Sequence, residues 1–310
     1  MAQVTTRKKT PIQPTIRKPF RKSSLNGWLF ASPWIIGLLL FYAYPLLSSM
    51  YYSLTTYSIL DAGEFVGFKN YGELFHDDLF WKSISNTIYF AVFFVPLSIL
   101  FGVSLAMMLN MKVKGLAIYR TIFFLPTLVP QVALAVLWMW LLNPGFGLVN
   151  GMLDSIGIQG PNWLGSMSWS KPSLILMSLW TIGQPVIIYL AGLGDISEEY
   201  YEAAEVDGAS WYQKTRHITL PLLTPVIFYN LVMGLIGAFQ QFTLPYTMTQ
   251  GQGTPANSLT FYVMHMYDNA FKYFKMGYGS AMAWILFVII MILTAIIFST
   301  SKRWVHYQGE

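Results

Sequence analysis

The chain has 310 residues, of which 55% are hydrophobic and only 11% charged, against about 25% charged in an ordinary soluble domain. Its mean hydropathy is +0.48, more apolar surface than a soluble core can hide, so an integral membrane protein is expected. The net charge is +5, and the lack of cysteine excludes disulfides, thiolate metal sites and cysteine nucleophiles.

In chain order, residues 1–26 form a basic tail with Arg7, Lys8, Lys9, Arg17, Lys18, Arg21 and Lys22 and no acid. Anionic lipid headgroups account for such a tail more simply than DNA does, so membrane lipid and not nucleic acid is the expected partner. Six continuous apolar windows follow near 28–49, 86–110, 121–142, 172–193, 222–247 and 279–300, and a helix needs about 20 residues to cross a bilayer. The runs do not alternate, which argues against barrel strands. The expected fold is all-α: a polytopic membrane protein with six transmembrane helices over residues 27–303 and a short tail at 304–310. The first window is too long for a signal-peptide core and is read as a retained anchor.

With the N-terminus in the cytoplasm, fourteen Lys and Arg fall on that side and five, Lys69, Lys82, Lys171, Lys272 and Lys275, on the other. The positive-inside rule therefore places both termini, and the 194–221 loop, in the cytoplasm. Pro96, Pro126, Pro130, Pro185 and Pro245 lie within the windows. They should break or kink helices, which a bilayer tolerates where neighbouring helices or a cavity satisfy the freed backbone.

Several chemistries are missing. No G-x-x-x-x-G-K-[ST], H-E-x-x-H or G-x-S-x-G run occurs, and His76, His217, His265 and His306 lack metal spacing. No Asp, Glu, Lys or Arg falls inside the six windows, whereas proton-driven carriers usually need intramembrane carboxylates. Any energy must come from elsewhere, and no enzymatic activity, bound cofactor or metal is expected of this chain.

The loop at 195–221 is the most patterned ionic stretch. Asp195 is placed to cap a helix with Glu198 three residues on, and Glu198 and Glu199 then complement the helix dipole. Gly208 follows as a residue free to take positive φ, and Ser210 with Gln213 repeats the capping pattern before Lys214, Arg216 and His217. Pro221 is expected to mark the turn into the fifth span. A helix–glycine–helix knob results, with Ala203 and Ala204 as a small-residue spot where another surface could approach.

At this loop the chain resembles a known family. Glu202-Ala203-Ala204, Asp207-Gly208 and Ile218-Thr219-Leu220-Pro221 match E-A-A-x3-G-x9-I-x-L-P, the EAA loop of bacterial ABC importer permeases, at every position of the pattern. Residues 65–87 and 119–150 resemble the first extracytoplasmic segment and the central helix of its carbohydrate branch. Residues 247–259 depart from that branch's T-x-G-G-P with Gln250-Gly251-Gln252-Gly253-Thr254-Pro255. The resemblance covers about residues 25–303. It implies a type I importer permease in the bacterial cytoplasmic membrane, assembled with a second, related permease. Two cytoplasmic ATPase subunits would carry ATP and Mg, and an extracytoplasmic solute-binding protein would deliver a carbohydrate. It implies that Glu202, Ala203, Ala204, Asp207, Gly208, Ile218, Leu220 and Pro221 couple the chain to an ATPase.

A sugar path needs aromatic faces for C–H surfaces and amides for hydroxyls. The fourth and fifth spans offer Trp180, Gln184 and Tyr189, then Phe239, Gln240, Gln241, Phe242 and Tyr246. The absence of positive charge along the spans leans toward a neutral sugar. The alternatives are import of another solute such as glycerol phosphate or, from a different class, a membrane scaffold.

Overall fold

A computed structural model describes residues 21–111 and 114–306, with side chains from Gly27 onward. The basic tail's Arg7, Lys8, Lys9, Arg17 and Lys18, and also Lys112 and residues 307–310, lie outside the described residues, as do the side chains of Arg21 and Lys22.

The chain divides into two units, 1–49 and 50–310. The first carries α1 (Arg21–Leu38), a π turn at Leu39–Ala43 and the beginning of α2 (Tyr44–Ser53). Its described surface is apolar, with Trp28, Phe30, Trp34 and Phe41 exposed, as expected of a helix that meets lipid or other helices.

The second unit continues with α3 (Lys69–Phe75), α4 (Asp78–Leu109), α5 (Leu116–Phe124), α6 (Gln131–Leu141), α7 (Leu148–Ser155), α8 (Ser170–Leu179) and α9 (Gly183–Gly194). It ends with α10 (Glu198–Val206), α11 (Trp211–Lys214), α12 (Leu220–Phe239), α13 (Thr243–Thr249), α14 (Tyr262–Tyr267) and α15 (Met276–Ser301). Among the described residues, four stretches are long and apolar enough to cross a membrane on their own: Gly27–Ser53, Asp78–Leu109, Trp211–Thr249 and Met276–Ser301. Two bent pairs complete six spans, α5 with α6 at 101° and α8 with α9 at 47°.

Proline chemistry sets the breaks. Val129 precedes Pro130 and sits at ψ 127°, because the pyrrolidine ring excludes the residue before it from helical geometry. The third window is thus two helices rather than one. Pro185 and Pro245 each lie in the first turn of a new helix, α9 and α13. Neither can donate a backbone N–H to the carbonyl four residues back, at Thr181 and Gln241, so the preceding helix stops there. Pro96, by contrast, lies within a continuous α4.

That helix also starts earlier than the apolar window suggests. Asp77 caps it, its Oδ1 accepting from Leu79 N at 2.8 Å, so Asp78 and Lys82 ride on its first turns. At its far end Arg120 donates to the Leu109 carbonyl at 3.1 Å, placing a cation at the negative pole of the helix.

Two packed regions lie along α4. One gathers Phe80, Phe90, Val95, Leu174, Phe239, Phe261, Tyr262 and Met282; the other gathers Val103, Ala106, Val186, Tyr189, Leu193 and Leu223. In the second, α4 approaches α9 so closely that a Cβ at Gly102 would lie 2.9 Å from Tyr189 Cε2. The segment 250–261 is clamped onto the same bundle. Asn86 Nδ2 donates to the Asn257 and Thr260 carbonyls at 2.8 and 2.9 Å, and Ser170 and Ser258 share a hydrogen bond of 2.9 Å. The departure from T-x-G-G-P is therefore an ordered turn, with Gly251 and Gly253 both at positive φ.

Candidate functional site: the helix–glycine–helix knob and the helix breaks

The knob folds as α10 and α11 around Gly208, whose φ is +74°. Its N–H donates to the Glu205 carbonyl at 3.0 Å, and Ala209 N donates to the Ala204 carbonyl at 2.8 Å. The 6→1 bond closes the helix in the manner of a Schellman motif. Among the described residues nothing lies within 4 Å of a Cβ built on Gly208, so the backbone conformation, not space, selects glycine there. Ser210 and Gln213 form the reciprocal capping box.

Two expectations are corrected. Ser197, not Asp195, is the N-cap of α10, its Oγ accepting from Glu199 N at 3.3 Å. Asp195 instead closes α9, because the chain stays helical to Gly194 and leaves only Ile196 and Ser197 before the new helix. Nor does Pro221 mark a turn. The helix that starts at Trp211 passes through a π turn at Thr215–Thr219 directly into α12. Pro221 occupies the first turn of α12, where a missing N–H is tolerated, and the wider turn before it absorbs the mismatch.

An ion pair ties the two arms together: Lys214 Nζ lies 2.7 Å from Glu205 Oε1 across the glycine turn. The Lys214 hydrogen bond and charge hold the Glu205 carboxyl below its usual pKa. Tyr201 and Thr219 share a hydrogen bond of 3.0 Å, and Ile218 packs against the second of the two packed regions. Glu202, Ala203 and Asp207 are exposed, Ala204 and Pro221 are half-buried, and Leu220 is at the edge of exposure. The sequence reading missed the large apolar residues on this surface: Val206 is 89% exposed and Trp211 69%, with Tyr200 and Tyr212 beside them on the same arms. Their signal was present as apolar residues in an otherwise charged loop.

The candidate solute residues separate into two groups. Gln184 is exposed in the first turn of α9, and Trp180, at the break before it, meets Trp138 edge-on at 5.5 Å. Gln240 and Gln241 lie at the break between α12 and α13, with Phe242 and Tyr246 following. Both glutamine positions are therefore discontinuities in the spans, where polar groups can be served inside a membrane. Tyr189 and Phe239 do not join them. Tyr189 is 0% exposed and sealed between α4 and α9. Phe239 is buried beside an apolar cavity of about 310 Å³ shared with Phe80 and Tyr262. Both side chains fill the packed core.

A bundle of apolar helices with broken spans and a folded helix–glycine–helix knob fits a membrane transport subunit. The model of the family "Binding-protein-dependent transport system inner membrane component" matches residues 98–306, and the chain belongs to this family. It is 41% identical to the probable ABC transporter permease protein YesP of Bacillus subtilis over 94% of this chain and 96% of that one. It is 33% identical to the lactose transport system permease protein LacF of Rhizobium radiobacter over 91% and 96% of the two chains. Among solved structures, one chain of a bacterial alginate ABC transporter, crystallised with an alginate pentasaccharide-bound periplasmic protein, superposes with a TM-score of 0.80 at 25% identity. That match covers 92% of this chain and 97% of the other. The chain is thus a membrane-embedded permease component whose partners are those of an ABC importer.

Proposed function

We propose that this chain imports a carbohydrate, as one of two different permease subunits of an ATP-binding-cassette importer in the bacterial cytoplasmic membrane. Two ATPase subunits would bind ATP and Mg and dock on the knob around Ala203, Val206 and Gly208. A solute-binding protein would deliver sugar at the opposite end. The chain itself hydrolyses nothing. Both termini and the knob face the cytoplasm, a reading supported by the excess of Lys and Arg on that side.

The observation that carries the proposal is the knob: the complete E-A-A-x3-G-x9-I-x-L-P run folds into two arms locked by the Glu205–Lys214 pair and presents exposed apolar residues. Relatives named for lactose, arabinooligosaccharides and sulfoquinovosyl glycerol support the choice of solute class. The test is expression of the chain with its neighbouring transport genes, followed by affinity purification and a screen of the solute-binding protein against a carbohydrate panel. Co-purification of an ATPase and a second permease, with sugar binding, is expected. Recovery of the chain alone points to a scaffold, and binding of glycerol phosphate in place of sugars moves the solute class.

A further inference from the structure

A row of aromatic rings runs out of the protein core beside the helix break at Gln240–Phe242. The ring centroids of Phe242 and Tyr246 are 4.8 Å apart, Phe242 and Tyr267 5.1 Å, Tyr246 and Tyr267 5.5 Å, and Tyr267 and Phe271 5.0 Å. Phe242 and Tyr246 still pack against the core, while Tyr267 and Phe271 belong to neither packed region. Phe271 is 53% exposed. The row thus continues from the core to the surface.

The chemistry around the row is polar and uncharged overall. Gln240 is exposed and Gln241 half-buried at its inner end. Among the described residues, neither the Tyr246 nor the Tyr267 hydroxyl is engaged in a hydrogen bond. The cation beside the row is neutralised: Lys272 Nζ lies 2.7 Å from Asp268 Oδ1 and 5.3 Å above the Tyr246 ring, and reaches the Gly251 carbonyl at 3.4 Å. The contact of Lys272 with the Gly251 carbonyl links the π turn at Asp268–Lys272 to the 250–261 segment. Aromatic faces, free hydroxyls and amides, without net charge, match the alternating C–H faces and hydroxyls of a neutral sugar chain.

We propose that Phe242, Tyr246, Tyr267 and Phe271 form a stacking track along which a neutral oligosaccharide passes from the surface to the break at Gln240–Phe242. Tyr267 and Phe271 are its outer subsites. The inference rests on the reading of the chain as a carbohydrate permease and adds the place of entry and a preference for chains over single sugars.

The test uses the intact importer in proteoliposomes with its binding protein and ATPases. The probes are labelled tetraose and biose of whichever of the xylo-, cello-, malto- or arabino-series the wild type imports. Tyr267→Ala and Phe271→Ala should each lower tetraose uptake about 3–10-fold relative to biose, the worth of one aromatic contact, with subunit assembly and basal ATPase unchanged. Tyr267→Phe and Phe271→Tyr should retain uptake, and Phe271→Leu should not. Equal uptake of both probes in the alanine variants overturns the track. Full recovery by Phe271→Leu also overturns it, since an apolar contact to the second permease needs no ring. A wild-type importer that takes up none of these sugars fails at the carbohydrate reading itself, a result distinct from either of these.

Discussion

Asp77 and His265 are 188 positions apart in sequence, yet Asp77 Oδ2 accepts a hydrogen bond from His265 Nε2 at 2.8 Å. The same oxygen accepts from the Tyr278 hydroxyl at 3.0 Å, while Oδ1 caps α4. One carboxylate thereby joins the starts of α4 and α15 to α14, at the end of the bundle away from the knob. Burial alone would raise the Asp77 pKa. The hydrogen bond and charge of His265, with the bonds from Leu79 and Tyr278, outweigh it and hold the group below its ordinary value of 3.8.

A carboxylate with a lowered folded pKa contributes stability that is present above the ordinary value and lost as pH falls through the folded one. Thermal unfolding in detergent should therefore show a midpoint that drops as the pH is taken below about 4. Asp77→Asn should unfold about 1–3 kcal/mol more easily at pH 7 and lose that acid-dependent component. An unchanged acid profile in the variant would remove Asp77 as its source.

Gly208 makes a sharper prediction than its place in a motif would. Since a Cβ there meets nothing within 4 Å among the described residues, only φ of +74° is at issue. Gly208→Asn should keep most uptake, because asparagine visits left-handed geometry readily. Gly208→Val should strain the turn by about 1–2 kcal/mol or more and weaken co-purification of the ATPase. Equal behaviour of the two variants would show that the turn's geometry is not what matters.

The Glu205–Lys214 pair predicts charge-swap behaviour. Lys214→Glu should loosen the two arms and reduce transport-coupled ATP hydrolysis, and the double variant Glu205→Lys with Lys214→Glu should recover much of it. A cycle showing no coupling between the two positions would leave the arms held by Tyr201–Thr219 and by packing alone.

Tyr189 predicts an absence of effect on transport. Among the described residues its buried hydroxyl has no hydrogen-bond partner, so Tyr189→Phe removes an unpaired polar group and should be neutral or raise Tm slightly. Gly102→Leu, which drives new atoms into the same ring, should destabilise by about 1–3 kcal/mol. Gln184→Ala and Gln241→Ala, at the helix breaks, should instead lower uptake with assembly intact.

The six apolar windows and the glycine turn were legible because burial in lipid and left-handed backbone leave direct marks on composition. The break at Val129–Pro130 was legible in principle, since the residue before proline avoids helix, but a continuous apolar run hid it. Ser197 suits the capping role locally as well as Asp195 does, and the length of α9 decides between them. Tyr189 and Phe239 looked like path residues from their type and neighbourhood, while their facing is set by contacts with α4 some 90 to 150 residues away in sequence. Tyr267 and Phe271 could not be joined to Phe242 and Tyr246 from spacing, because the row is assembled across two helices and the folded 250–261 segment.

The π turn that feeds α11 into α12 makes the second arm of the knob and the fifth span one continuous helix. A helix of 20 residues is about 30 Å long at 1.5 Å per residue, so tilting it by about 10° moves its far tip by about 5 Å. That tip is Gln240. A displacement of the helix at its Trp211 end would thus be carried, with no loop between, to the break at Gln240–Phe242, where the helical hydrogen bonding of this span stops.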